Sequence, residues 1–322
     1  KFCNIGIIKY FCKKYKPDIK YVNKSKENCL MKACKRNTDL NVIKYFIKVC
    51  KIDFNYENKN NSNCLFFACG YNSNKNIIKY LIDECKMDIN RINKDGFNCF
   101  LYACNRNRNI DIIKYLIEHY KINIDQLDKK NNNCLLLACD SNCKTVIKYL
   151  IEETKINLHH KNKFGNNCLM CAAWNSSNEN IIKFLIDEYH MDINYKNNIN
   201  DNCLILACFK NKNLNIIKYL VEECKIDVNL RNKYNNGCLL AASYNRNIKI
   251  LKYLVEDCKM YTNINYSKLF CLNDNFNVIK YLINISNIYK NYENDDLIRY
   301  IMQIKYLNIF KYVIKIYKDD ID

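Results

Sequence analysis

The chain has 322 residues and a formal charge of +18, from 51 Lys and Arg against 33 Asp and Glu. Hydrophobic residues make up 49% of it, which suits a packed fold, and with one Pro and five Gly it is neither collagen-like nor a Pro/Gly-rich disordered chain. No apolar run reaches the roughly 18 residues of a membrane-crossing helix.

Asn, Ile, Lys and Tyr dominate the sequence. All four use A/T-rich codons, so part of the lysine surplus is codon-driven. The opening Lys1-Phe2-Cys3 is neither an initiator Met nor a signal peptide. It enters in mid-repeat, which predicts a piece of a longer chain.

Taken in order, Ile7-Ile8-Lys9-Tyr10-Phe11 reads as the second helix of a unit whose first helix is missing, and Pro17-Asp18-Ile19 leads on to Asn28. From there one phrase recurs. It opens Asn98-Cys99-Phe100-Leu101-Tyr102-Ala103-Cys104 and continues, after a polar turn, as Ile112-Ile113-Lys114-Tyr115-Leu116-Ile117. Its leading cysteine falls at Cys29, Cys64, Cys99, Cys134, Cys168, Cys203 and Cys238, in steps of 35, 35, 35, 34, 35 and 35 residues. A fixed period of this size means stacked helix pairs, which bury one another's apolar faces without one central core. The expected organisation is a single array over 1–322. It comprises a partial unit over 1–27, seven full units over 28–262 and degenerate units over 263–322.

Each unit predicts two short helices with apolar residues at i, i+3 and i+4. Leu65, Ala68 and Cys69 form one such stripe; Ile77, Ile78, Leu81 and Ile82 form another. Asn28, Asn63, Asn98, Asn133, Asn167 and Asn202 stand where a helix N-cap is needed, with Gly237 in the same place. Asn37, Asn72, Asn107, Asn142 and Asn211 follow the first helix, where a left-handed C-terminal residue is expected. Gly96 and Gly165, or Asn61, Asn131, Asn200 and Asn235, mark inter-unit turns at positive φ. After Met260 the pattern decays. A reduced first helix is expected near Leu269-Phe270-Cys271, a second helix at Val278-Ile279-Lys280-Tyr281-Leu282, and a last pair from Asp295 to Ile309-Phe310-Lys311-Tyr312-Val313.

Sixteen of the 21 cysteines occupy recurring framework positions of the repeat, so cysteine reads as a small buried hydrophobe here, and that many free thiols predict a reducing intracellular compartment. Cys168-x-x-Cys171 lacks a second pair, and Cys64 and Cys69 point about 140° apart on a helix, so no metal site is expected. His119, His159, His160 and His190 pair with no Ser or Cys nucleophile, and no phosphate-binding loop or dinucleotide fingerprint occurs. No catalytic residue, cofactor, membrane or small-molecule substrate is expected.

On these residues the chain resembles ankyrin repeats. The family's Thr-Pro-Leu-His-x-Ala-Ala opening appears as Asn-Cys-Leu-x-x-Ala-Cys, its second helix as Ile-Ile-Lys-Tyr-Leu-Ile, and its exit as Lys86-Met87-Asp88-Ile89-Asn90 or Lys225-Ile226-Asp227-Val228-Asn229. The family period is about 33; the two extra residues fit one in the turn between helices and one at the end of the second helix. The Asn/Cys/Lys/Tyr-rich version resembles arrays encoded by giant DNA viruses of amoebae (mimivirus-like).

The resemblance implies an all-α ankyrin-type helical repeat solenoid. It implies a non-enzymatic scaffold that binds a protein partner, a host protein in the viral case, on its concave face. The family's groove positions hold Lys35-Arg36, Gly70-Tyr71, Asn105-Arg106, Asp140-Ser141, Trp174-Asn175, Phe209-Lys210 and Tyr244-Asn245, which vary while the framework does not. Arg36, Tyr71, Arg106, Trp174, Phe209 and Tyr244 are the expected contacts, since Tyr, Trp and Arg anchor protein interfaces. Lys24, Lys59, Lys94, Lys129, Lys163 and Lys233 recur at the loop tips. Their ladder gives the alternative, binding of nucleic acid or another polyanion.

Overall fold

A computed structural model describes residues 4–120, 122–141, 143–175, 179–245, 247–260, 275–289 and 311. Its described residues are helical, joined by turns, with one isolated antiparallel bridge between Arg231 and Gly237. The chain divides into two compact units, residues 1–172 and 173–322.

The first unit begins with α1 (Ile5–Tyr15). Its first helices are α2 (Cys29–Arg36), α4 (Cys64–Tyr71), α6 (Cys99–Arg106) and α8 (Cys134–Ser141). Its second helices are α3 (Leu40–Lys44), α5 (Lys75–Lys79), α7 (Ile110–Tyr120) and α9 (Lys144–Glu153). First helices pack beside first helices, α2 on α4 on α6 on α8, and second beside second. The helix α10 (Cys168–Asn175) carries the point of division. The second unit repeats the plan with α11 (Glu179–Asp187), α12 (Cys203–Lys210), α13 (Leu214–Lys218), α14 (Cys238–Tyr244), α15 (Ile248–Lys252) and α16 (Phe276–Tyr289). The expected helix at Val278–Leu282 lies within α16. The expected elements at Leu269–Cys271 and from Asp295 to Val313 lie outside the described residues, save Lys311, and so does Asn142.

The expected N-caps form. Asn28, Asn98, Asn133, Asn167 and Asn202 each accept a backbone N–H three residues on at 2.8–3.0 Å, and Asn63 accepts that of Leu65. The asparagines after the first helix do something other than expected. Asn37, Asn72, Asn107 and Asn211 are extended, at φ of −104°, −86°, −94° and −68°, and none is left-handed. Three of them, joined by Asn245, turn their side chains to the neighbouring unit instead. Asn72 Nδ2 donates to Cys34 O (2.8 Å) and Asn37 O (2.9 Å), and Asn107 Nδ2 to Cys69 O (2.8 Å) and Asn72 O (2.9 Å). In the second unit Asn211 reaches Ala173 O (2.9 Å), and Asn245 reaches Cys208 O (3.1 Å) and Asn211 O (2.6 Å). The last carbonyls of a helix lack internal partners, and here the next repeat supplies them. The same Asn72 and Asn107 accept N–H bonds from Asn74 and Asn109 with their oxygens.

Left-handed backbone occurs at the exit of the second helix, where the family carries glycine and this chain carries lysine. Lys51, Lys86, Lys155, Lys225 and Lys259 have φ of 53° to 57°. The inter-unit turns hold positive φ at Gly96, Gly165, Asn61, Asn131, Asn200 and Asn235, as expected. The extra residue at the end of the second helix becomes a single π turn in the units ending at Cys50, Cys85, Cys224 and Cys258, where the cysteine N–H bonds the carbonyl five residues back at 3.0–3.1 Å.

Further ladders tie neighbours together. At the hairpin tips, Lys59 N donates to Ser25 O, Lys94 N to Asn60 O, Lys129 N to Asp95 O and Lys163 N to Lys130 O, at 2.9–3.1 Å. Behind each tip an Asn or Asp closes the turn on itself. Asn58 Oδ1 accepts both Asn60 N (2.9 Å) and Ser62 N (3.0 Å), and Asn93, Asp128 and Asn162 do the same. On the second helices the Lys-Tyr dipeptide pairs across units. Lys44 lies 5.1 Å from the Tyr80 ring, Lys114 5.1 Å from Tyr149, Lys183 4.9 Å from Tyr219 and Lys218 5.2 Å from Tyr253. Tyrosine hydroxyls then donate to the acid of the preceding unit, Tyr219 to Asp187 and Tyr253 to Glu222.

The core is the set of faces between repeats. An amphipathic stripe is expected on the first helix, yet in α4 every residue from Cys64 to Gly70 is buried. This helix has another first helix on each side and second helices behind it, so little of its circumference meets water. Gly70 shows the tightness. A Cβ there would stand 2.5 Å from the Tyr102 ring, so Gly70 is a packing residue and not a groove contact.

Asn107→Ala leaves two buried carbonyls unpartnered and is expected to cost about 2–4 kcal/mol, read as a lower urea midpoint. Lys86→Gly removes a left-handed penalty of about 1–2 kcal/mol but loosens the unfolded chain by roughly 0.5–1. It is expected to stabilise by about 0.5 kcal/mol, with the rise measured in the same titration.

Candidate functional site

In the second unit the positions that follow the framework alanine come together. Trp174, at the end of α10, stacks on Phe209 of α12 with ring centroids 5.3 Å apart and planes at 16°. Phe209 meets Tyr244 of α14 at 5.5 Å and 41°. These residues stand one repeat apart, so the helix stack itself sets their spacing. Phe209 is 41% exposed and Tyr244 40%, although such side chains are usually withdrawn from water. With Leu206, Leu240 and Tyr234 of the adjoining hairpin they line a pocket of about 260 Å³. That is below the roughly 300–1,000 Å³ of small-molecule sites and suits a side chain of a polypeptide.

One carboxylate lines this pocket. Asp201 is 7% exposed, its Oδ1 accepts Asn232 Nδ2 at 2.8 Å, and its backbone N–H is held by Asn197 at 2.9 Å. Burial raises its pKa above the ordinary aspartate value, against the lowering effect of the Asn232 and Asn197 hydrogen bonds. Burial likewise pushes up the Tyr244 hydroxyl. The ammonium of Lys210 lies 5.1 Å from the centre of the Trp174 ring.

The first unit holds a separate aromatic group. Tyr71 meets Tyr102 edge-on at 6.0 Å, Tyr102 meets Phe66 at 5.8 Å and Phe97 at 6.1 Å, and Lys35 lies 4.1 Å over Tyr71. Tyr71 is half-buried, and Arg36 and Arg106 are exposed at the ends of α2 and α6. Burial and the neighbouring Tyr71 push the Tyr102 hydroxyl far up.

The six tip lysines are all exposed. Two of them brace the fold, since Lys94 Nζ donates to Lys59 O and Lys233 Nζ to Asn198 O, each at 2.7 Å. Among the described residues no group of three or more His, Cys, Asp or Glu could hold a metal ion. The cysteines pair between repeats. The opening thiols Cys64, Cys99 and Cys168 touch Cys34, Cys69 and Cys139 of the unit before, and in the second unit Cys208 touches Cys238. The hydrogen bond with the paired thiol, then burial, raises the pKa of Cys64, Cys139 and Cys208, and burial, then the pairing, raises that of Cys99. Cys29, less buried, sits at about 11.

The profile of the family described as Ankyrin repeats (3 copies) matches residues 1–93, 30–128, 71–162, 100–197 and 169–268. The chain is an ankyrin-repeat protein. A comparison with curated protein sequences gives no match. Among solved structures it is similar to a chain of the complex of a predatory endopeptidase from Bdellovibrio bacteriovorus with an immunity protein. The identity is 22% and the TM-score 0.47, over 61% of this chain and 98% of that one. No described helix is long and apolar enough to cross a membrane.

For an ankyrin-repeat protein, sequence reasoning named the aromatic positions but missed Asp201 and Tyr234, which line the same pocket. It also missed the residue before the tip lysine, Asn in most units and Asp128 in one, which recurs with the same period and closes the hairpin. A readable signal for Tyr234 was present. It follows the tip lysine Lys233, where other units carry Ser25, Asn60, Asp95 and Lys130, and where Phe164 alone is also aromatic among the lysine-tipped units.

Buried thiols with raised pKa are poor nucleophiles. Alkylation of native protein at pH 8 is expected to spare Cys64, Cys99, Cys104, Cys139 and Cys208, with all reacting in denaturant. Mass mapping of the adducts checks this.

Proposed function

We propose that this ankyrin-repeat chain is a non-enzymatic scaffold that engages a protein partner through the face built by its first helices and hairpins. Ankyrin repeats generally mediate protein–protein interaction. The observation that carries the reading here is the partly exposed Trp174–Phe209–Tyr244 stack over an apolar pocket. An interface anchored on aromatics and arginines is expected to lose most of its energy when a few are truncated. Arg36, Tyr71 and Arg106 are the candidate contacts within the first unit. The same reading takes 28–262 as seven full repeats of one array with degenerate repeats after it. It places the chain inside a cell and, from its Asn/Cys/Lys/Tyr-rich composition, in a virus that engages a host protein.

The polyanion alternative draws on charge distribution. Residues 173–260 hold twelve basic and ten acidic side chains, so little of the +18 comes from them, and Lys24, Lys59, Lys94, Lys129 and Lys163 all lie in the first unit. The bonds from Lys94 and Lys233 to backbone carbonyls weigh against it, because those ammonium groups already serve the fold.

Immobilised full-length chain is expected to capture a specific protein from source or host cells, and Trp174→Ala with Phe209→Ala is expected to reduce recovery at least about tenfold. Capture unchanged by the double variant would overturn the aromatic site. A polyanion affinity that falls by decades between low and high salt, unaltered by the double variant, would favour the lysine tips.

A further inference from the structure

The pocket of the second unit has a chemical bias that its aromatic lining alone does not reveal. Four ring systems, those of Trp174, Phe209, Tyr234 and Tyr244, share with one carboxylate, Asp201, the lining of a cavity of about 260 Å³, and Asp201 is 7% exposed. An ionised carboxylate offers roughly four acceptor positions. The amides of Asn232 and Asn197 occupy two of them. The remaining capacity suits a donor that brings two parallel N–H groups. A neutral apolar anchor would bury the carboxylate further without compensating it, which is costly. An acidic anchor would place like charges together.

The rings favour the same occupant. Aromatic faces attract cations, and a planar guanidinium also stacks on them. The chain demonstrates the preference itself, because the Lys210 ammonium already rests 5.1 Å from the Trp174 centroid. The general positive charge of the protein opposes a cationic ligand weakly here, since residues 173–260 are close to electrically balanced. A lysine anchor would satisfy the charge but present a point donor, whereas arginine matches a carboxylate in two bonds.

We infer that this pocket takes an arginine side chain of a partner polypeptide, laid against the Trp174–Phe209 stack with its guanidinium on Asp201. The inference rests on the partner-binding reading above and specifies the partner's anchor residue. Asp201 selects the cation, the rings hold the stem, and Lys210 competes for the aromatic face.

Trp174 is the only tryptophan in the chain, so tryptophan fluorescence reports on this site alone. The full chain would be titrated with Nα-acetyl-arginine amide and, in parallel, with the citrulline, leucine and glutamate analogues. Citrulline keeps the shape of arginine and removes its charge. Arginine amide is expected to change the emission saturably and to bind at least about tenfold more tightly than the citrulline compound. Asp201→Asn is expected to erase that difference while circular dichroism stays unchanged. Lys210→Met is expected to strengthen arginine binding a few-fold by removing the competitor. Equal binding of arginine and citrulline, no response to arginine, or weaker arginine binding in Lys210→Met would each overturn the inference. Saturable binding of the leucine compound without arginine would overturn it too, while leaving the aromatic face standing as a partner site. If Asp201→Asn does not fold, the citrulline comparison and Lys210→Met decide the question.

Discussion

A buried amide governs this structure. Asn72, Asn107, Asn211 and Asn245 each sit at 2–5% exposure and each donates across to carbonyls of the preceding repeat. Apolar faces alone would tolerate sliding of one helix pair over the next, since burial has no direction. A hydrogen bond to a helix-terminal carbonyl does not tolerate it. The amide therefore fixes the register between repeats and closes the helix end without a left-handed residue. The hairpin tips, the Lys–Tyr pairs and the thiol contacts follow the same register at other depths of the stack.

With register fixed by framework residues, the positions after the framework alanine are released from structural duty. Trp174, Phe209 and Tyr244 occupy them in the second unit and Tyr71 in the first. Their spacing is inherited from helices that repeat, so an aromatic row forms wherever consecutive units carry rings. Gly70 marks the limit of this freedom. It lies beside Tyr71 yet serves the Tyr102 ring, so neighbouring positions on one helix divide between packing and display.

Much of the fold was legible in the sequence, because the period, the capping asparagines and the apolar helices are each local signals repeated many times. The asparagine after the first helix misled for a physical reason. Asn favours left-handed backbone when considered alone, but its amide donors found a better use in a neighbouring unit that local reasoning does not contain. The lysines at the helix exit misled in the opposite sense: five of them adopt positive φ where glycine would be expected. The pocket was half legible. Its rings show as departures from a repetitive background. Asp201 instead takes a place where other units carry Glu, Ser, Phe or Asn, and it gains its meaning only from burial beside Asn232.

The amides all point the same way, from a later repeat to an earlier one. Synthesis runs in that direction as well. A helix pair leaving the ribosome finds behind it open carbonyls that its own side chains close, an asparagine amide in most repeats and the Ser141 hydroxyl on Cys104 O in one, so each newcomer completes its elder. Each repeat thus has a giving side and a receiving side, a polarity written into the short polar side chain at the end of its first helix.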